Sequence, residues 1–167
     1  MNRHVLSLLV DNHAGVLSRI VGLFSRRGYN IDSLSVGVTE HPTYSRITIV
    51  VLGDDRIIEQ ITRQVDKLVD VIKVIELKNS ESVYRELALI KVSVPPSKRT
   101  EIVGIADIFR ANIVDVSPSS LMVELTGDQS KITAFMELVE PYGIIEMSRT
   151  GLTGLMRGAA GIREDLA

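Results

Sequence analysis

The 167-residue chain predicts an α+β fold, an α/β sandwich of two successive ferredoxin-like βαββαβ units with antiparallel sheets and helices on one face. Three observations carry this reading. Apolar residues alternate between a period of two and a period near 3.6, with Gly, Pro and Asp at the changes. The order of those segments is the same in both halves of the chain. The polar, breaker-like stretch Lys78-Asn-Ser-Glu-Ser82 separates the halves.

The first strand is expected at His4–Val10 and stops at Asp11-Asn12. A helix follows over Gly15–Arg27, with Val16, Leu17, Ile20, Val21 and Phe24 on its apolar stripe and Arg19, Ser25 and Arg26 outside. Gly28, after the basic pair Arg26-Arg27, is a helix stop. Ile31–Thr39 and Tyr44–Leu52 are strands around the turn His41-Pro42-Thr43; in the first, Leu34, Val36 and Val38 alternate with Ser33 and Ser35. The pair Asp54-Asp55 caps a helix running to Leu68 with Ile58, Ile61, Val65 and Leu68 inward. Asp70–Leu77 closes the unit as a fourth strand.

The second unit is expected to follow the same order. Glu86–Val94 is a strand ended by Pro95-Pro96, and Lys98–Arg110 a helix with Ile102, Ile105, Ala106 and Phe109 inward. Asn112–Val116 and Leu121–Leu125 are strands. Asp128 caps a helix burying Ile132, Phe135, Met136 and Val139, and Gly143–Arg149 is the last strand. The domain boundaries are placed at 1–78 and 83–158, with 159–167 a frayed tail. Val5 and Leu9, or Val50 and Leu52, fall on the second face of the first sheet and need cover. Pairing of sheets between protomers would supply it, so at least a dimer is expected.

Composition narrows the function. With 19 basic and 21 acidic residues, net charge −2, the chain lacks the field for non-specific nucleic-acid or membrane-surface binding. Three Phe, four Tyr and no Trp leave no base-stacking platform. The absence of cysteine excludes disulfides and thiolate chemistry, and no leader or membrane span is visible, so a cytoplasmic protein is expected. His4, His13 and His41 lack metal-ligand spacing, and no catalytic motif is present.

One site stands out. Asn12-His13-Ala14-Gly15 joins a strand to a helix start, whose unpaired N–H groups and positive dipole end suit a carboxylate. An Asn beside them can bind an ammonium, so the loop fits a free amino acid. Asn30 begins the next strand and either approaches the same sheet end or a partner's. The bland reading of Asn12 and Gly15 is plain turn chemistry.

Strand–Asn-x-x-Gly–helix, Phe24-Ser-Arg-Arg-Gly-Tyr-Asn-Ile31 and the following strand pair resemble an ACT domain. Gly15–Ser35 as a whole, Ser45-Arg-Ile-Thr-Ile49, Lys67-Leu-Val-Asp-Val71, Arg85-Glu-Leu-Ala-Leu89, Ile108-Phe-Arg110 and Gly151-Leu-Thr-Gly-Leu-Met-Arg-Gly158 are similar to the small regulatory subunits of acetolactate synthase. The resemblance implies a non-catalytic subunit that activates a thiamine diphosphate-dependent large subunit and confers feedback inhibition by valine. It implies no cofactor on this chain, with thiamine diphosphate, Mg and FAD on the catalytic subunit. It places effector contacts at Asn12, Gly15 and Asn30, the rest of the loop and first turn at His13, Ala14, Val16 and Leu17, and an apolar wall at Ile31. The implied site lies between two ACT domains of a homodimer or higher oligomer. Leu152, Leu155 and Met156 in the glycine-rich tail are expected either to contact the catalytic subunit or to extend a strand on their own domain. The rival functions are a free-standing ACT-type amino-acid sensor or regulator, for which no basic helix–turn–helix is visible, and a small enzyme, for which no catalytic group is found.

Overall fold

Alternating apolar runs that end at Asp, Asn or Gly become strands, and amphipathic runs opened by Asp or Gly become helices. The computed structural model describes residues 2–163 and divides them into two units, 2–84 with 151–163, and 85–150.

In the first unit, β1 (Asn2–Asp11), α1 (Val16–Arg26), β2 (Ile31–Val38), β3 (Tyr44–Gly53), α2 (Asp55–Asp66) and β4 (Val71–Leu77) form an antiparallel sheet of order β2-β3-β1-β4. Leu6, Leu8 and Val10 of β1 and Ile47, Ile49 and Val51 of β3 meet Ile20 and Phe24 of α1 and Ile58, Ile61 and Val65 of α2 in one core. Asp54 caps α2 by accepting the Ile57 N–H at 2.9 Å, the role expected of it.

The second unit repeats the plan. β5 (Ser82–Ser93), α3 (Arg99–Ile108), β6 (Asn112–Val116), β7 (Ser120–Gly127), α4 (Gln129–Val139) and β8 (Ile144–Arg149) give the order β6-β7-β5-β8. Its core joins Ala88, Ile90, Val92, Leu121, Val123 and Leu125 to Ile102, Ala106, Ile132, Phe135 and Val139. Asp128 accepts the Lys131 N–H at 2.9 Å, and that bond, with the Ser130 hydroxyl, holds its carboxyl below the usual range. Asp128→Ala is expected to lower stability by about 1 kcal/mol in a urea titration at pH 7.

The doubled βαββαβ plan agrees with the sequence reading; four details differ. Leu17 is 40% exposed, Val21 is half-buried, and Leu23 fills the core instead. Val36 and Val38 are exposed, because β2 is an edge strand. The division by contact falls after Tyr84 and returns residues 151–163 to the first unit, not to the second domain as expected. The tail forms a strand, one of the two readings of Leu152, Leu155 and Met156, but this strand, β9 (Thr153–Met156), belongs to the first unit and lies along the start of β5.

This tail changes the account of the first sheet's second face. Leu152 is buried with Val5, Val50 and Leu77, and its backbone is clasped by Ser33 and Ser35. The Ser33 hydroxyl accepts the Leu152 N–H at 2.9 Å, and the Ser35 hydroxyl donates to the Leu152 carbonyl at 3.0 Å. Cover for Val5 and Val50 therefore comes from the same chain, not from a second protomer. The frayed tail expected at 159–167 is corrected where it is described: Ile162 is buried, and Arg163 pairs with Glu40 at 2.6 Å and stacks on Tyr44. Residues 164–167 lie outside the described residues. No helix among the described residues is long and apolar enough to cross a membrane.

Candidate functional site

The β1–α1 loop is held at both ends by backbone bonds. The Asp11 N–H donates to the Asp70 carbonyl at 2.9 Å, and the Asn12 N–H to the Thr43 carbonyl at 2.8 Å. Asn12 Nδ2 donates to the Pro42 carbonyl at 2.9 Å. The β2–β3 turn thus fixes the carboxamide, and its Oδ1 takes no donor among the described residues. Gly15 opens α1 in the left-handed region, φ 88° and ψ −11°, which a residue with a Cβ rarely adopts. No side chain caps this helix, and its first turn carries no acid. The first intrahelical bond runs from the Arg19 N–H to the Gly15 carbonyl at 3.0 Å, so the amides of Val16, Leu17 and Ser18 have no helical acceptor. Val16 is buried and presents only its amide; Leu17, Ala14 and His13 are exposed at the loop.

Asn30 and Ile31 do not join this loop within one chain. β1 ends beside Tyr44, whereas β2 begins beside Val51. Those two β3 positions are seven residues apart, or roughly 23 Å at about 3.3 Å per residue. Asn30 is exposed at the far end of the sheet, and Ile31 packs against the core there.

Two neighbours of this loop escaped the sequence reading. Asp70, almost fully buried before β4, accepts Arg19 Nε at 2.5 Å and His13 Nε2 at 3.0 Å. Arg19, expected simply to face water, lies over the helix start, its Nη1 only 3.1 Å from where a Cβ on Gly15 would stand. The available signal was Arg19 at i+4 from Gly15 on the turn that faces the loop; nothing local marked Asp70. Asp11, His13 and Asp70 also bring possible ligand atoms within 4.8 Å of one another. Both Asp70 oxygens are taken, one by a guanidinium, so the group is an ion-pair network that a cation would have to break.

The Arg19 hydrogen bond chiefly holds the Asp70 carboxyl below its usual range; the Arg19 and His13 charges add to this, and burial opposes it. A carboxyl so depressed contributes stability above its unfolded value, about 3.9, and loses it as pH falls through the folded value. The urea midpoint should therefore drop on acidification below about pH 4. Asp70→Asn should start lower at neutral pH and drop less; an equal acid drop in the variant would contradict this role.

The sheet order, the two helices on one face and the glycine-led helix start after β1 define an ACT-type domain, here joined to a second ferredoxin-like unit. Residues 6–73 match the AHAS small subunit-like ACT domain, and residues 85–158 match the small subunit of acetolactate synthase. The probable acetolactate synthase small subunit of Archaeoglobus fulgidus is 53% identical over 156 residues, 93% of this chain and 98% of that one. The acetolactate synthase small subunit of Bacillus subtilis is 51% identical over 157 residues, 93% of this chain and 91% of that one. The crystal structure of the acetolactate synthase small subunit from Thermotoga maritima aligns with a TM-score of 0.89 at 41% identity, over 96% of this chain and 100% of that one. The chain belongs to the acetolactate synthase small-subunit family, and it is a regulatory small subunit of that kind.

Proposed function

We propose that this chain is the non-catalytic partner of a thiamine diphosphate-dependent large subunit, which it activates and on which it confers inhibition by valine. Thiamine diphosphate, Mg and FAD would reside on the large subunit, and the complex would act in the cytoplasm. The observation that carries the effector reading is the division of the site. The helix amides of Val16 to Ser18 and the open Asn12 Oδ1 lie at one end of the sheet, and Asn30 at the other. A second copy resolves this. The edge strand β2 exposes Val36 and Val38, which favours covering by another chain. Antiparallel pairing of two β2 strands brings the partner's strand start to the end where β1 stops. Valine's carboxylate then meets the helix amides, its ammonium meets carboxamide oxygens from two chains, and its isopropyl group packs on Leu17. A ligand shared in this way favours one quaternary arrangement over others, as an allosteric effector must.

Complementation tests the division directly. Asn12→Ala and Asn30→Ala chains should each fail to bind valine in calorimetry. Co-refolded in equal amounts, they should regain about a quarter of the wild-type sites, one in each mixed dimer. No recovery on mixing would place both residues in one chain's site or in none. Addition of the wild-type chain to a large subunit should raise acetolactate formation and make it valine-sensitive. Valine heat without any effect on turnover would leave the free-standing sensor.

A further inference from the structure

The second face of the first sheet holds a charge in an otherwise buried row. Ser7 and Thr48 pair across β1 and β3 and are fully covered, and Leu9 stands opposite Arg46. Arg46 Nε donates to the Ser7 hydroxyl at 2.6 Å. Burial lowers the pKa of its guanidinium, against the opposing charge of Glu40. Among the described residues no carboxylate lies within ion-pair distance of Arg46, and the Glu40 carboxylate is bonded to Arg163. A half-buried charge with its terminal nitrogens unpaired calls for an anion.

Arg46 borders a cleft of about 260 Å³ whose apolar walls are Leu9 on the sheet and Leu155 and Ile162 on the returning tail. Among the described residues the lining holds two guanidiniums and one carboxylate, an excess of a single positive charge. Arg163 takes Oε1 of Glu40, which is mostly exposed to water, so the half-buried charge without a carboxylate partner is that of Arg46. We propose that this cleft is a second small-molecule site, taking a monocarboxylate with a short aliphatic body. The carboxylate lies against the Arg46 fork and the body packs between β1 and the tail. The site is separate from the amino-acid loop and does not depend on the proposed valine response. Because the tail supplies two of its walls, an occupied cleft pins the tail to the sheet.

Isobutyrate is the probe, a branched carboxylate with no ammonium for the loop to bind. Titrated by calorimetry into the full chain, up to about 50 mM as so few ligand atoms require, it should bind. Isobutylammonium should not. Isobutyrate should slow amide exchange over Leu155–Arg163. Arg46→Gln should weaken binding tenfold or more with its melting temperature held, and the exposed-site change Leu155→Ser should weaken it as well. Asn30→Ala should leave it unaltered. The proposal is overturned by absent binding, by equal binding of the cation, by full affinity in Arg46→Gln, or by loss in Asn30→Ala, which would put isobutyrate in the amino-acid site.

Discussion

Gly15→Asp should abolish the valine response while the large subunit remains activated. The introduced carboxylate would stand where the ligand's carboxylate is expected. Its Cβ would lie 3.1 Å from Arg19 Nη1, beside the uncapped helix start. Asp also tolerates the left-handed backbone better than most residues, so the fold survives. On the proposed reading, by contrast, the ligand would lose at least two charge-assisted bonds and meet a like charge. At about 1.5 kcal/mol each or more, the valine needed for half-inhibition should rise roughly 100-fold or beyond reach. Gly15→Ala separates the two effects: strain of about 1 kcal/mol and a smaller rise, since no charge is added. The measurement is acetolactate formation by the large subunit with each variant across a valine series. An unchanged valine series with Gly15→Asp would remove the helix start from the site.

Leu152→Ala should destabilise the first unit by about 2–5 kcal/mol, the range for emptying a closed apolar site. Leu152 is the tail's contribution to a small core shared with Val5, Val50 and Leu77. Gly151→Ala should act at the same joint by another route. Its Cβ would lie 2.3 Å from the Leu34 carbonyl oxygen and 3.0 Å from the Ser35 nitrogen, backbone atoms that cannot turn aside. Leu155→Ala, at a position 61% exposed, should change stability by no more than about 0.5 kcal/mol. Urea unfolding of the three variants gives the comparison. A Leu152→Ala chain as stable as Leu155→Ala would mean that the tail is not part of the fold.

Much of the fold was legible because the signals are local. Asp54 and Asp128 announce helices through the amide three residues on, and Gly28 stops a helix through its left-handed φ of 68°. The loop was legible for the same reason, since Asn12 to Leu17 lie within one turn of chain. The stripe of α1 was misjudged at its edges, where Leu17 is exposed and Val21 half-buried while Leu23 is buried, because these residues all lie near a 3.6-residue period and packing chooses between them. For the tail, a strand was one of two readings, but where it packs was not legible. Leu152 alternates with nothing nearby, and its partners Ser33 and Ser35 are more than a hundred residues away.

By itself, then, the chain determined what nearest neighbours can specify: two βαββαβ units, their caps and stops, and a strand–loop–helix at Asn12 to Leu17 with an uncapped helix start. Tertiary structure alone decided that Asp70 anchors Arg19 and His13, that the tail from Gly151 closes the first sheet, and that Asn30 stands at the opposite sheet end from Asn12. The reason is physical. Caps and periodicity act over three or four residues, whereas a buried ion pair or a covered sheet face joins groups that only strand order and register bring together.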